Sequence, residues 1–167
     1  MSALQAEQGH GRLPAFGGEN RMLLIVPQVT LVLAAALALL NLWLSVRVGQ
    51  VRRSEKVSVG DGGNDRVIRR MRAHANFGEN AWVVLALVFA IELSVGPSYW
   101  LWAAALLFVV ARVLHGLGMD GWLVGRGGGT GITMLVQLLL AIWAAVIAAQ
   151  AGSTPTAPGT EMVMPQG

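Results

Sequence analysis

The strongest constraint on this chain is the length of its apolar runs. From Met22 to Val46 the sequence is apolar, interrupted only by Pro27, Gln28, Thr30, Asn41 and Ser45. A hydrocarbon layer of roughly 30 Å takes about 20 helical residues to cross, so this run reaches spanning length. Tyr99 to Leu117 and Gly131 to Ala149 are two further runs of that kind. The stretch Ala81–Val95 is shorter and contains Glu92. It spans only if its helix begins earlier, inside the polar segment Arg69–Asn80. Backbone polar groups exposed to lipid must bond within their own segment, which leaves helices for these runs. The expected fold is therefore all-α, an integral membrane four-helix bundle with spans at 22–46, 69–95, 99–117 and 131–149.

Composition agrees with lipid as the solvent. Hydrophobic residues make up 54% of the chain and charged residues 13%, against about a quarter charged in soluble domains. A signal peptide fits 22–46 poorly, because the run exceeds the usual apolar core and no clear cleavage site follows. The chain has no cysteine, which excludes disulfides, thiolate metal sites and a cysteine nucleophile. His10, His74 and His115 show no ligand spacing, so no metal site is expected. The sequence pI of about 10.6 does not point to nucleic acid. Eight of the twelve Lys/Arg residues lie between Arg47 and Arg72, beside apolar runs, and that is a juxtamembrane pattern.

Around the 21–151 membrane domain, residues 1–20 form a polar tail. Residues 152–167, rich in Pro, Gly and Thr, are expected to be disordered. Gly60-Asp61-Gly62-Gly63-Asn64 reads as a turn. No strand precedes it and no Lys-Ser/Thr follows, as a phosphate cradle would require. Gly125 to Gly131 reads as a glycine-rich connection to the last span. Basic residues mark cytoplasmic loops. The cluster between spans one and two, with Arg126 between three and four, puts those loops in the cytoplasm and both termini outside it.

The start of the second span is dense in polar groups. At about 100° per residue, with Arg69 at zero, Arg72, Asn76, Glu79 and Asn80 fall within a stripe about 100° wide, while His74 and Glu92 lie on the other side. Guanidinium forks bind carboxylates in bidentate fashion, and Glu79 can take an ammonium or a peptide N–H. Such a stripe suits a zwitterionic ligand. From spacing alone, a structural network in which Glu79 pairs with Arg72 or an arginine of a neighbouring helix is the preferred reading. Arg112 and His115, three apart, share a face of the third span. A membrane-buried arginine calls for a carboxylate, with Glu79 and Glu92 as candidates. Most tryptophans lie near span ends, where interfacial anchoring accounts for them.

The run from Val57 through Gly60-Asp61-Gly62-Gly63-Asn64 to Arg72-Ala73-His74-Ala75-Asn76-Phe77-Gly78-Glu79-Asn80 resembles the bacterial branch of the MAPEG family, membrane-associated proteins in eicosanoid and glutathione metabolism. Arg112-Val113-Leu114-His115, Arg126, Gly129 and Thr133 continue the likeness, over roughly residues 25–150. The resemblance implies a homotrimer of four-helix subunits in a bacterial inner membrane, with glutathione as co-substrate between subunits near the cytoplasmic face. Arg72, Asn76 and Glu79 match glutathione-contacting positions, and Gly49-Gln50-Val51-Arg52 resembles a segment that supplies another arginine. Arg69, Asn80 and His115 join them as candidate binding residues. Arg126 corresponds to an arginine held to stabilise the thiolate, and is the candidate catalytic residue. The chain departs from the pattern at Asn80 and Met119, where family enzymes often carry tyrosine, and at Trp82-Val83, where a proline is usual.

The implied activity is a glutathione-dependent transferase or peroxidase working on lipophilic electrophiles dissolved in the bilayer. Two alternatives stay open: a glutathione-binding or scaffold protein without turnover, and a small four-helix exporter using Glu79 and Glu92.

Overall fold

The computed structural model describes residues 26–152. The polar tail at 1–20, the first residues of the expected 22–46 span and the tail beyond 152 lie outside them. The described chain is all-helical: α1 (Gln28–Ser54), α2 (Asp65–Val95), α3 (Tyr99–Gly118) and α4 (Leu123–Gly152). Each is long and apolar enough to cross a membrane. At the basic end the helices overrun the apolar runs. α1 continues to Ser54 and α2 begins at Asp65, because a helix satisfies its own backbone in either solvent.

Asn64 starts α2. Its side chain accepts from the backbone N–H of Arg66 at 2.9 Å and of Val67 at 3.3 Å, the usual service of an N-cap. The preceding glycine segment is a turn, with Gly60, Gly62 and Gly63 all at positive φ. Asp61 folds it by accepting from the Gly63 N–H at 2.9 Å.

α2 and α3 form the middle of the bundle. Each contacts the other and both outer helices, while α1 and α4 do not meet. Leu33, Leu37, Leu44, Phe77, Val84, Val88, Leu101, Phe108, Val136 and Leu140 fill the core. Much of the remaining apolar surface, including Leu39, Leu42, Leu106, Leu138 and Ile142, is exposed, as lipid contact or a further subunit would require.

The glycine-rich stretch Gly125–Gly131 is not a connection: it lies inside α4. The reason is packing. A Cβ on Gly129 would stand 2.6 Å from the Ala111 carbonyl and from the His115 nitrogen. Small residues here let α4 lie directly on α3, as is common where membrane helices pack.

Opposite the basic end, the first turn of α1 is closed by another helix. Pro27 offers no side-chain cap. Instead Glu92, fully buried near the end of α2, accepts from the N–H groups of Val29 and Thr30, both at 2.8 Å, and from the Thr30 hydroxyl at 2.7 Å. The carboxylate also faces the positive end of the α1 dipole. Glu92 is therefore no partner for Arg112, and its three bonds give it a structural role as the cap of α1.

Candidate functional site

The polar residues at the start of α2 separate into two groups according to the face they occupy. The buried positions of α2, Ala73, Phe77, Ala81, Val84 and Val88, define the side turned to the bundle. Asn76 and Asn80 flank that side and are half-buried, whereas Arg69, Arg72 and Glu79 are exposed. The expected stripe thus splits lengthwise, its amides facing α3 and α4 and most of its charges facing outward.

The inward half builds a network across three helices. Arg112, 1% exposed on α3, donates through Nη2 to Asn76 Oδ1 at 2.8 Å and through Nη1 to Thr133 Oγ1 at 3.2 Å. Its Nη2 also lies 3.2 Å from His115 Nδ1. Thr133 passes its own proton to the Gly129 carbonyl at 2.8 Å. Asn80 Nδ2 donates to the Asn76 carbonyl at 2.7 Å, and Gln137 Nε2 donates to Asn80 Oδ1 at 2.9 Å. The expected carboxylate is absent: neither Glu79 nor Glu92 reaches Arg112, and among the described residues none of its partners is acidic. Its Nε is buried without a partner. Neutral acceptors orient a guanidinium without cancelling its charge, so a positive centre is left inside the bundle.

The outward half is largely unpaired. Among the described residues Arg72 and Glu79 form neither a hydrogen bond nor an ion pair through their side chains, and the expected Arg72–Glu79 pairing does not occur. Arg126, in the first turns of α4, is likewise exposed and has no ion-pair partner among the described residues. Arg52 is half-buried and held only by long contacts, to the Ser58 carbonyl and to Met71 Sδ, both at 3.4 Å. Arg69 donates through Nε to the Asp65 carbonyl at 3.2 Å. With Arg66, Arg70, Met119 and Asp120 it lines a small polar pocket of about 150 Å³. His74 bonds Asn41 of α1 at 2.8 Å, on the side away from Arg112. Among the described residues no cluster could hold a metal ion.

The sequence reading missed the clamp that fixes this end of the bundle. Arg47, buried on α1, donates to the Gly116 carbonyl at 2.7 Å and pairs with Asp120 in the α3–α4 turn. Arg70 of α2 also binds Asp120, at 3.1 Å, and donates to the Arg47 carbonyl at 3.2 Å. The Arg47 guanidinium lies over the Trp43 ring, 4.8 Å from its centroid, within cation–π range. These partners are far apart in sequence, and no spacing links them. Gln137 was missed too, although Gly129, Thr133 and Gln137 recur every four residues and mark one polar face of α4.

The MAPEG family model matches residues 30–146. No curated protein matches the chain. The matched range takes in Arg52, the whole polar start of α2, the Arg112–His115 pair and Arg126.

Proposed function

The chain belongs to the MAPEG family, and from that premise we propose that it is a glutathione-dependent transferase or peroxidase acting on lipophilic electrophiles in the bilayer. The observation that carries this reading is the unpaired Arg72 and Glu79 on one exposed face of α2. Charges left bare on a membrane helix are costly and usually face protein or a wet cavity. Two opposite charges seven residues apart lie about 10 Å from each other along the axis, with Asn76 between them. Glutathione has the matching character: carboxylates for arginine forks and an ammonium for a carboxylate. A second subunit would cover what the ligand leaves exposed, which supports a site between subunits, and family membership makes a homotrimer with that site at the cytoplasmic end the assembly proposed.

In this reading Arg72 and Arg52 take the carboxylates, Glu79 takes the ammonium, and Asn76, Asn80, Arg69 and His115 complete the contacts. Arg126 lies closest to the sulfur. A thiol is a weak nucleophile near neutral pH, and an adjacent cation favours the thiolate. The S–H proton leaves to solvent. Sulfur then forms a C–S bond as the leaving group departs with its electron pair. With a hydroperoxide it attacks the outer oxygen as the O–O bond breaks, giving a sulfenic acid and an alkoxide that takes a proton from solvent. A second glutathione then displaces water from the sulfenic acid to form the disulfide. The uncompensated Arg112 adds positive potential from inside the bundle.

A second reading is a binding protein without turnover. Tyr99, the only tyrosine in the chain, begins α3 and is 93% exposed, at the opposite end of that helix from Met119. Titrating the full-length protein with glutathione, while following ultraviolet thiolate absorbance and product formation with a panel of electrophiles, tests both readings. Thiolate with product supports the enzyme. Thiolate without product supports the second reading, and a folded protein showing neither binding nor thiolate at millimolar glutathione removes both.

A further inference from the structure

We infer that Arg112 is a positioning residue that holds His115 as the neutral Nε2–H tautomer, so that His115 offers its surroundings a hydrogen-bond donor and not a base. A guanidinium carries only donors. At 3.2 Å from Arg112 Nη2, His115 Nδ1 can contribute only a lone pair. If Nδ1 held a proton, two N–H groups would face each other beside a buried cation, and an imidazolium would add a like charge.

The rest of the network holds the guanidinium in place. Nη2 has two protons, and its other acceptor is Asn76 Oδ1 at 2.8 Å. Nη1 is engaged by Thr133, whose own proton goes to the Gly129 carbonyl. Residues of α2 and α4 therefore fix the guanidinium whose one bond reaches His115 Nδ1. The backbone is pinned as well, since Gly129 packs against the His115 nitrogen closely enough to exclude a methyl group. Fixing one ring nitrogen fixes the other, which is how a neighbour selects a histidine tautomer. Among the described residues Nε2 has no hydrogen-bond partner, and it is not among the sealed, unpartnered atoms. It therefore presents an N–H to whatever occupies the adjoining space.

What that N–H acts on rests on the thiol reading above; the tautomer itself does not. Within that reading His115 donates to an acceptor of the bound tripeptide or to the developing thiolate. It takes no proton from the thiol, and cationic stabilisation by arginine is left as the means of ionisation.

Nitrogen-15 NMR of histidine-labelled full-length protein in lipid nanodiscs tests this directly. The chain has three histidines, and His115→Gln assigns the signal. At neutral pH the expected spectrum shows His115 Nδ1 unprotonated and Nε2 protonated. A protonated Nδ1, alone or in an imidazolium, overturns the inference without any variant at Arg112. Arg112→Met is expected to release a mixture of tautomers, and Arg112→Lys to restore most of the Nε2–H form. A wild-type spectrum from folded Arg112→Met would show that Arg112 does not select the tautomer. With glutathione bound, His115→Gln, which keeps an N–H donor but has no basic nitrogen, should retain about tenfold more thiolate than His115→Leu. Equal losses of 10²–10⁴ in turnover from both would mark a base instead. If wild-type protein binds no glutathione, the proposed function fails, while the spectrum still decides the tautomer.

Discussion

Glu92 on α2 accepts a hydrogen bond from the hydroxyl of Thr30 on α1 at 2.7 Å while also receiving the backbone N–H groups of Thr30 and Val29. One carboxylate thus ends one helix and ties it to the next. Removing it leaves two backbone donors and a hydroxyl buried without partners. Glu92→Leu should destabilise the protein by about 2–4 kcal/mol, from a charge-assisted cap plus the cost of unmade bonds. Glu92→Gln keeps one acceptor oxygen and should lose roughly half as much. Thermal unfolding in detergent gives both values, and equal midpoints for wild type and Glu92→Leu would dismiss the cap.

The glycines of α4 supply a paired prediction. A methyl group at Gly129 meets backbone of α3 at 2.6 Å, whereas one at Gly127 meets open space. Gly129→Ala should therefore cost about 1–3 kcal/mol, because α4 must move off Ala111 and His115. Gly127→Ala should gain about 0.5–1 kcal/mol from helix propensity alone. Opposite signs in the same melting assay are the expected result. A neutral Gly129→Ala would mean the helices are not locked there.

These two sites also show how much of the molecule could be read from sequence. The four helices were legible because spanning length is a property of single segments. The polar start of α2 was legible for the same reason, since 100° periodicity needs no partner. Which side of that stripe faces inward was not legible. Asn76 and Asn80 turn inward because Arg112 and Gln137 meet them from α3 and α4, and pairing between helices leaves no trace in spacing. Arg112 was expected to need a carboxylate, yet the protein supplies amide, hydroxyl and imidazole. Gly125–Gly131 looked like a loop because glycine disfavours helix in water. Here close helix contact outweighs that preference.

The missing carboxylate beside Arg112 leads to the third prediction. Asn76→Asp would place a negative oxygen where Asn76 Oδ1 now accepts from Nη2 at 2.8 Å. The new pair should raise stability by about 1 kcal/mol, because the bond it replaces already involves the guanidinium and desolvation of the carboxylate offsets part of the added attraction. The same change cancels positive potential that favours an anion, so thiolate formation should fall about tenfold at a given pH. Stability and thiolate moving in opposite directions would separate an electrostatic role for Arg112 from a purely structural one. A parallel fall in both would favour the structural role.

The last prediction concerns the two faces of α2. Arg72 is exposed and unpaired, whereas His74 is held by Asn41 of α1 on the far side of the helix. If glutathione lies along the outward face, Arg72→Ala removes a charge-assisted contact worth about 1.5–3 kcal/mol, a weakening of roughly tenfold to a hundredfold. Glu79→Gln keeps the shape and one acceptor but loses the charge that faces an ammonium, and should weaken binding about tenfold. His74→Ala should change affinity less than threefold, since it breaks only a hydrogen bond between α1 and α2. Calorimetric titration of the three variants with glutathione, alongside their melting curves, gives the comparison. The decisive pattern is a large loss at Arg72 and Glu79 with unchanged melting, against little loss at His74. Comparable losses at Arg72 and His74 would place the ligand elsewhere than on the outward face of α2.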